Sequence, residues 1–211
     1  MLIDLTIKQF LERVASGEPV PGGGSVAALI AALSASLSEM VARLTLGKKG
    51  DPALDEKMSA LIDAASRLRA RLIDDVDRDS DAYASVMEAY RMPKASDEEQ
   101  NVRKAAVQDA LKDAACVPLS VAEAGIELLK LACTAVAAGN SGAVTDGIVA
   151  VLTARSAVIG ALYNVRINLA SINDEGFRDD LAHRADSLEK EAFAIETDVL
   201  SLAGSVIKKQ A

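Results

Sequence analysis

The stretch that decides the fold is residues 52–90, PALDEKMSALIDAASRLRARLIDDVDRDSDAYASVMEAY. Its apolar residues recur at steps of three and four from Leu54 to Val76, which is the spacing of one face of an α-helix. Asp51 is a helix cap, and Pro52 occupies the first turn, where its missing N–H is not needed. The pattern predicts one long helix that ends at about Tyr90.

The rest of the chain predicts further helices joined by short breaks. Capping boxes of Thr6 with Gln9 and of Ser96 with Glu99 mark two helix starts, and Pro118 predicts a kink. The six predicted helices cover about 6–16, 25–46, 52–90, 97–138, 143–170 and 177–206. We therefore predict an all-α fold: a single up-and-down bundle of about five long helices plus a short N-terminal helix, spanning residues 1–211 as one domain.

The composition excludes several classes of protein. Of 211 residues, 50% are hydrophobic, which is enough for a core and argues against a disordered chain. The net charge of −8 gives no electrostatic reason to bind nucleic acid or an anionic membrane. Cys116 and Cys133 stand in apolar, helix-like sequence, so we expect no disulfide scaffold and a cytoplasmic protein.

Neither a signal peptide nor a membrane-spanning helix is expected. The N-terminal segment MLIDLTIKQF is charged and amphipathic. The longest charge-free runs, residues 22–38 and 131–145, fall short of the ~20 residues of a span and contain Gly or several Ser. Because such long helices often lie against a second copy, we predict a two-fold homodimer through the small-residue second helix or the Ala-rich fifth helix.

The first candidate site is the glycine turn, PVPGGGS at residues 19–25. Three glycines before a helix leave its first amide groups facing a ligand. No strand precedes the turn and no Gly-Lys-Ser/Thr follows, so neither the Rossmann nor the P-loop motif applies. The alternative is a flexible turn that ends in a serine cap.

The second candidate is DDVDRDSDAY at residues 74–83, with five aspartates in eight positions. Aspartate is a poor residue for a helix interior, and clustered carboxylates have raised proton affinities that suit acid–base work. Asp75 and Asp79 are four apart and share a face, whereas Asp74, Asp77 and Asp81 share another. The alternative is a solvated acidic stripe.

Two further polar segments interrupt apolar sequence. GNSGAVTDG at residues 139–147 places Asn140, Thr145 and Asp146 in a charge-free stretch, where an isolated carboxylate needs a partner or a ligand. LGKK at residues 46–49 ends a helix with two cations. Helix capping and complementation of the helix dipole are the alternatives for these segments. His183 with two distant cysteines cannot build a zinc site, so we predict no metal.

Five segments occur in order along the chain: PVPGGGS, LTLGKK, the run from Asp79 to AYRMPK (89–94), GN…TDG…AVL (139–152) and NVRINL (164–169). Taken together they resemble the cyclodeaminase/cyclohydrolase family, and the resemblance covers about residues 5–205. The family comprises the cyclodeaminase part of formiminotransferase-cyclodeaminase and free-standing methenyltetrahydrofolate cyclohydrolases.

The resemblance implies an all-helical dimer that acts on one-carbon derivatives of tetrahydrofolate, without a metal or cofactor. A cyclohydrolase turns 5,10-methenyltetrahydrofolate into 10-formyltetrahydrofolate, and a cyclodeaminase closes 5-formiminotetrahydrofolate with release of ammonia. No formiminotransferase region accompanies this chain, which favours the cyclohydrolase. The implied catalytic residues are Asp79, Asp77 in support, and Lys48. The implied substrate-binding residues are Pro21, Gly22, Gly23, Gly24, Ser25, Asn140, Thr145 and Asp146, with Asn140 and Asp146 holding the pterin.

The chain departs from the family pattern after Asn140. Gly142 and Thr145 replace an Asn and a Ser, and Gly147 and Ile148 stand where Ala and Gly are usual. Two alternatives stay open at this point. One is an all-helical, magnesium-dependent phosphohydrolase that uses the Asp74–Asp81 cluster and is inactivated by a chelator. The other is a non-catalytic folate-binding helical module.

Overall fold

The computed structural model describes residues 1–48 and 50–208 of the chain, without the side chains of 202–208. These residues form six α-helices and two 3₁₀ turns, Leu2–Asp4 and Ser141–Ala143, with no strand among them. The helices are α1 (Ile7–Val14), α2 (Gly23–Arg43), α3 (Pro52–Arg91), α4 (Asp97–Ala138), α5 (Val144–Leu169) and α6 (Glu175–Lys208). The predicted all-α fold is confirmed.

The helices begin at their capping residues. The Thr6 and Ser96 hydroxyls accept the amides of Gln9 and Glu99 at 3.3 and 3.2 Å, which completes both predicted capping boxes. The Asp51 carboxylate likewise accepts from the first amides of α3. These local hydrogen bonds satisfy amides that have no partner within their own helix.

The predicted end of α2 at about Leu46 is wrong, because the helix stops at Arg43. The Thr45 hydroxyl donates to the Val41 carbonyl at 2.7 Å and accepts the Asn140 amide at 2.8 Å. The second of these hydrogen bonds joins two segments that are distant in sequence, the turn after α2 and the turn before α5. A tertiary contact of this kind leaves no mark in the local sequence pattern.

Consecutive long helices pack against one another, and α5 also lies against α2. The contact surfaces of α2 and α5 are built from alanine, since Ala28, Ala31, Ala154 and Ala157 are fully buried. Small side chains let two helix axes approach closely. The bundle core therefore consists of α2, α4 and α5, with α3 and α6 packed on its outside.

Pro118 does not interrupt α4, which continues through it to Ala138. A proline within a helix has no N–H for the carbonyl four residues earlier, here that of Ala114. The side-chain amide of Asn168 on α5 supplies the missing donor at 2.8 Å. The proline thus creates a hydrogen-bonding position on the face of α4 that α5 contacts.

Two helical segments, Gly23–Arg43 and Ser141–Leu169, are long and apolar enough to cross a membrane by length and composition alone. The charge-free runs of residues 22–38 and 131–145 are themselves shorter than a span, but the helices that contain parts of them are longer because they continue past charged residues such as Glu39 and Asp146. Of the most apolar window in each, 61% and 44% are buried inside the bundle. Both segments are core helices here, and core helices meet the same criterion.

The close approach of α4 and α5 at Gly125 generates a stability prediction. A Cβ added at Gly125 would lie 2.5 Å from Cγ2 of Val158. We expect Gly125→Ala to lower the free energy of unfolding by about 1–2 kcal/mol, because overpacking outweighs alanine's better helix propensity. Urea denaturation followed by circular dichroism measures the change.

Gly160→Ala is the matched control, since its added Cβ would meet only Cβ of Ala27 at an ordinary 3.8 Å. At Gly160 only the higher helix propensity of alanine acts, and we expect the free energy of unfolding to rise by up to ~1 kcal/mol. Equal stabilisation by both substitutions would contradict the tight α4–α5 contact.

Candidate active site

A cavity of about 340 Å³ lies where the start of α2 meets α3, α4 and α5. Asp79 is the only carboxylate or cation among its lining residues. Apolar side chains, two side-chain amides and the glycine turn make up the rest of the wall. The lining residues are Pro19, Val20, Gly22, Gly23, Gly24, Asp79, Tyr83, Val86, Leu111, Ala114, Asn164 and Asn168.

The Asp79 carboxylate is held against the first turn of α2. Its Oδ2 accepts the backbone amide of Ser25 at 2.8 Å and the Ser25 hydroxyl at 3.0 Å. That hydroxyl also lies 3.2 Å from the hydroxyl of Ser80. One oxygen of the carboxylate is therefore fixed by α2, in the position where a helix N-terminus favours a negative charge.

The glycine turn makes room for this carboxylate. A Cβ added at Gly24 would lie only 1.9 Å from Oδ1 of Asp79. A Cβ at Gly23 would lie 3.3 Å from the Asn164 side-chain nitrogen. Gly24 is thus required by the close approach of a side chain, and Pro21 is buried beside the turn without lining the cavity.

Burial raises the pKa of Asp79 above the ordinary value of an aspartate, and its two hydrogen bonds from Ser25 offset part of the shift. The sequence predicted a raised proton affinity from neighbouring carboxylates. That physical cause is wrong, because no other acid contributes to the shift of Asp79. Removal from water disfavours the charged form, so Asp79 is poised to exchange a proton nearer to neutral pH than a surface aspartate.

The other aspartates of residues 74–81 do not converge on the cavity. Asp75, predicted to share the face of Asp79, is fully buried and pairs with Arg78 and with Arg71, whose Nε is 3.7 Å away. Asp77 accepts the amide of Leu2 at 2.6 Å and so fastens the N-terminal 3₁₀ turn to α3. Asp74 and Asp81 are exposed.

This arrangement bears on the predicted roles of the aspartates. Asp77 lies outside the cavity lining, so the structure does not bring it together with Asp79 as a supporting acid. Over the described part of the chain, no group of three or more His, Cys, Asp or Glu side chains is arranged to hold a metal ion. Asp75, Asp77 and Asp79 contact three different partners, which are arginines, the Leu2 amide and Ser25.

The remaining predicted residues form a second cluster at the opposite end of α2. The Asn140 side-chain nitrogen donates to the Leu44 carbonyl at 3.3 Å, and its oxygen accepts the Gly142 amide at 3.0 Å. Lys48 and Thr145 are exposed in the same region, and Asp146 is half-buried. Lys49, the other cation of the motif, lies outside the described residues.

The length of α2 keeps this second cluster away from the cavity of the same chain. The 21 residues of α2 span roughly 30 Å at 1.5 Å per residue. Lys48 follows the C-terminal end of α2, and Asn140, which precedes Thr145 and Asp146, hydrogen-bonds to Leu44 and Thr45 at that end. The glycine turn and Asp79 lie at the N-terminal end of α2. One chain therefore does not bring all predicted site residues together.

Sequence reasoning missed several residues of the cavity wall, above all Tyr83, Asn164 and Asn168. The two asparagines belong to the NVRINL segment, which carried part of the family resemblance without being given a role. A detectable signal was present, because amides four residues apart share one face of an apolar helix. The apolar wall residues Val86, Leu111 and Ala114 carry no such signal.

Comparison with known proteins identifies the family. Residues 6–187 match the formiminotransferase-cyclodeaminase family. The methenyltetrahydrofolate cyclohydrolase of Methylorubrum extorquens is 34% identical over 202 residues, which are 96% of this chain and 97% of that protein. The formimidoyltransferase-cyclodeaminase of mouse is 37% identical over 90% of this chain, but the chain spans only 35% of that relative's length.

A solved structure shares the complete fold. The crystal structure of formiminotetrahydrofolate cyclodeaminase from Thermotoga maritima superposes with a TM-score of 0.87 and 29% identity, over 98% of this chain and 100% of that one. On the match over residues 6–187, this chain belongs to the formiminotransferase-cyclodeaminase family.

Proposed function

We propose that this chain is an enzyme of tetrahydrofolate one-carbon chemistry that hydrolyses 5,10-methenyltetrahydrofolate to 10-formyltetrahydrofolate. The observation that carries the proposal is Asp79, a carboxylate with a raised pKa that lines a cavity otherwise free of charged side chains. This chain covers 97% of the Methylorubrum extorquens relative, which is named a methenyltetrahydrofolate cyclohydrolase. A soluble, cytoplasmic enzyme fits this function.

The first step is the attack of water on the methenyl carbon, which shares a positive charge with its two ring nitrogens. Ionised Asp79 stabilises this cation and removes one proton from the water as the new C–O bond forms. The product of the step is a neutral tetrahedral carbinolamine. No metal or cofactor takes part in the proposed reaction.

The second step opens the ring. The carboxyl group of Asp79 returns its proton to N5 as the C–N5 bond breaks. The carbinolamine hydroxyl loses its proton to solvent as the C=O bond forms, which leaves the formyl group on N10. One water is consumed and one proton is released overall, so Asp79 ends ionised and ready for another turnover.

The glycine turn supplies polar groups to the same reaction. The first intrahelical bond of α2 runs from the Val26 amide to the Gly22 carbonyl at 3.1 Å. The amides of Gly23 and Gly24 precede it and belong to residues that line the cavity. Backbone N–H groups there are suited to stabilise the oxygen of the carbinolamine.

A homodimer would bring together the two groups of predicted site residues that lie at opposite ends of α2. A two-fold axis perpendicular to α2 makes the two copies of this helix antiparallel and sets each glycine turn beside the partner's 44–48 turn. Leu33, near the midpoint of α2, is 52% exposed, and Met40 and Leu44 are also exposed. We propose this apolar face as the interface, through which Lys48 and residues 140–146 complete the site of the second copy.

Cyclodeamination is the second candidate, because the mouse relative and the Thermotoga maritima structure carry that name. The two reactions differ in their products. Absorbance of the methenyl bridge decays during hydrolysis, whereas it appears from 5-formiminotetrahydrofolate as ammonia is released. Both substrates assayed with the wild-type protein test the proposal, and decay of the methenyl signal at the uncatalysed rate would overturn it.

Asp79→Asn keeps the size of the side chain but removes the charge and the basic oxygen. We expect turnover of 5,10-methenyltetrahydrofolate to fall by about 10²–10⁴-fold, the usual effect of losing a general base. In the wild type, activity should fall towards acid with an apparent pKa above that of an ordinary aspartate, and the variant should lack this limb. Initial rates across pH measure both effects.

The thermal stability of Asp79→Asn distinguishes a loss of turnover from misfolding of the variant. The raised pKa means that the folded state binds the proton more tightly, so the contribution of Asp79 to stability falls as pH rises from the unfolded towards the folded pKa. At neutral pH the variant should therefore have an unchanged or higher Tm. Asp74→Asn, an exposed control, should leave turnover unchanged, and near wild-type activity in Asp79→Asn would refute the assignment.

Gly24→Ala tests the position of the Asp79 carboxylate without changing its chemistry. The added Cβ would overlap Oδ1, which must move. A displacement of about 1 Å at a reacting group typically costs ~10²-fold, and we expect a loss of that order in kcat/KM. Gly17→Ala is the control, since its Cβ would have nothing within 4 Å, and equal activity of both variants would contradict the proposed geometry.

Leu33→Glu tests the proposed dimer by placing two charges at its two-fold axis. We expect the variant to sediment as a monomer at micromolar concentration, because buried unpaired charges are costly. Activity should fall with dissociation although Asp79 is unchanged. Val102→Glu alters a similarly exposed residue, 54% against 52%, on α4 and should remain dimeric. A monomeric wild-type protein with full activity would overturn the composite site.

A further inference from the structure

Two asparagines of α5 hold their side-chain amides in fixed orientations at the cavity wall. Asn164 and Asn168 are one helical turn apart, and both line the cavity. The nitrogen of Asn164 donates to the Gly160 carbonyl at 2.9 Å, and that of Asn168 donates to the Ala114 carbonyl at 2.8 Å. Each nitrogen thereby uses one of its two N–H groups on the main chain, which fixes the orientation of the amide and leaves its oxygen as the acceptor for a ligand.

No hydrogen bond from any described side chain or amide reaches either oxygen. An acceptor next to a cavity is costly to leave without a donor when water is displaced. The cavity wall thus offers two uncharged acceptors from residues one helical turn apart, in addition to the carboxylate of Asp79. Such a pair matches a ligand edge that carries two neighbouring N–H donors.

Pro118 determines the orientation of Asn168. Without the proline, the amide of residue 118 would bond to the Ala114 carbonyl within α4. With the proline present, that carbonyl is satisfied by Asn168 instead. Pro118 does not line the cavity, so it acts through Asn168 as a positioning residue.

The glycine turn joins Asn164 to the reacting end of the cavity. Backbone atoms of Gly23 pass close to the Asn164 amide, and backbone atoms of Gly24 pass close to the Asp79 carboxylate. Adjacent residues of one turn therefore lie beside Asn164 and beside the Asp79 carboxylate. Between them the wall is apolar, with Val86, Leu111 and Ala114 available to contact the face of a flat ring.

We propose that Asn164 and Asn168 determine specificity by accepting the two N–H donors of the substrate's aminopyrimidinone edge. This inference rests on the proposed function, because that edge, with its amino group and adjacent ring N–H, belongs to the pterin. The methenyl carbon then lies towards Asp79. Within one chain this role falls to α5 instead of Asn140 and Asp146, which stand at the other end of α2.

The test compares Asn164→Ala and Asn168→Ala with Asn101→Ala, the same change at an exposed position of α4. Calorimetry gives the Kd for tetrahydrofolate, and methenyl absorbance gives KM and kcat. Each cavity variant should raise Kd and KM by about 10-fold or more with little change in kcat, since the hydrogen bond holds the substrate but not the reacting atoms. The control should match the wild type.

Pro118→Ala tests positioning without touching the cavity. Alanine gives the Ala114 carbonyl a donor within α4, which releases the Asn168 amide. We expect Kd and KM to rise while Tm is unchanged or higher, because the helix gains a hydrogen bond. A structural defect alone would instead lower Tm and leave Kd of the folded protein unchanged, and that result would overturn the positioning role.

A ligand-side measurement does not depend on how the variants fold. The wild-type protein should bind a tetrahydrofolate analogue with methyl in place of the 2-amino group about 10-fold more weakly. Equal binding of both ligands, or wild-type Kd in both asparagine variants, overturns the inference. Asparagine-dependent binding without turnover supports it and refutes the hydrolase, whereas no binding of tetrahydrofolate by the wild type refutes both.

Discussion

The hydrogen bonds from Ser25 to Asp79 are the interaction on which the site depends. They join the first turn of α2 to the C-terminal half of α3 and hold a half-buried carboxylate at the cavity wall. Burial alone would neutralise such a group or drive it to the surface. Two donors and a helix N-terminus keep it in place, while the cost of burial leaves its pKa raised, as acid–base work requires.

Small residues in the surrounding helices leave space for the contact between Ser25 and Asp79. Gly24 leaves space for the carboxylate, and buried alanines let α5 approach α2 closely enough to close the cavity. The same approach brings Asn168 to the carbonyl that Pro118 leaves without a partner on α4. Residues chosen for their small size or missing donor therefore contribute to the site as directly as its polar side chains.

Buried acids elsewhere in the bundle show why residue type alone does not define a site. Glu39 is 5% exposed and pairs with Arg43 at 2.6 Å and with Arg69 at 2.8 Å. Asp75 pairs with two arginines in the same way, whereas no cation among the described residues is paired with Asp79. Glu39 and Asp75 form ion pairs with arginines and so stabilise the bundle. Asp79 accepts hydrogen bonds only from neutral donors beside the cavity, which leaves its charge available for chemistry.

The sequence by itself determined the helices, because caps, prolines and three–four periodicity act within a few residues. Thr6, Asp51 and Ser96 start their helices as the local pattern predicts. The family resemblance also assigned Gly24 to substrate binding and Asp79 to catalysis, without indicating that the two residues contact each other.

Tertiary structure alone decided which polar residues meet. Asp75, Asp77 and Asp79 look alike in sequence. Asp75 pairs with arginines one turn away on α3, whereas the partners of Asp77 and Asp79, the Leu2 amide and Ser25, come from distant parts of the chain. The ~30 Å length of α2 separates Lys48 and Asn140 from the cavity. The burial that raises the pKa of Asp79, and the Ala114 carbonyl that orients Asn168, arise only when four helices pack together.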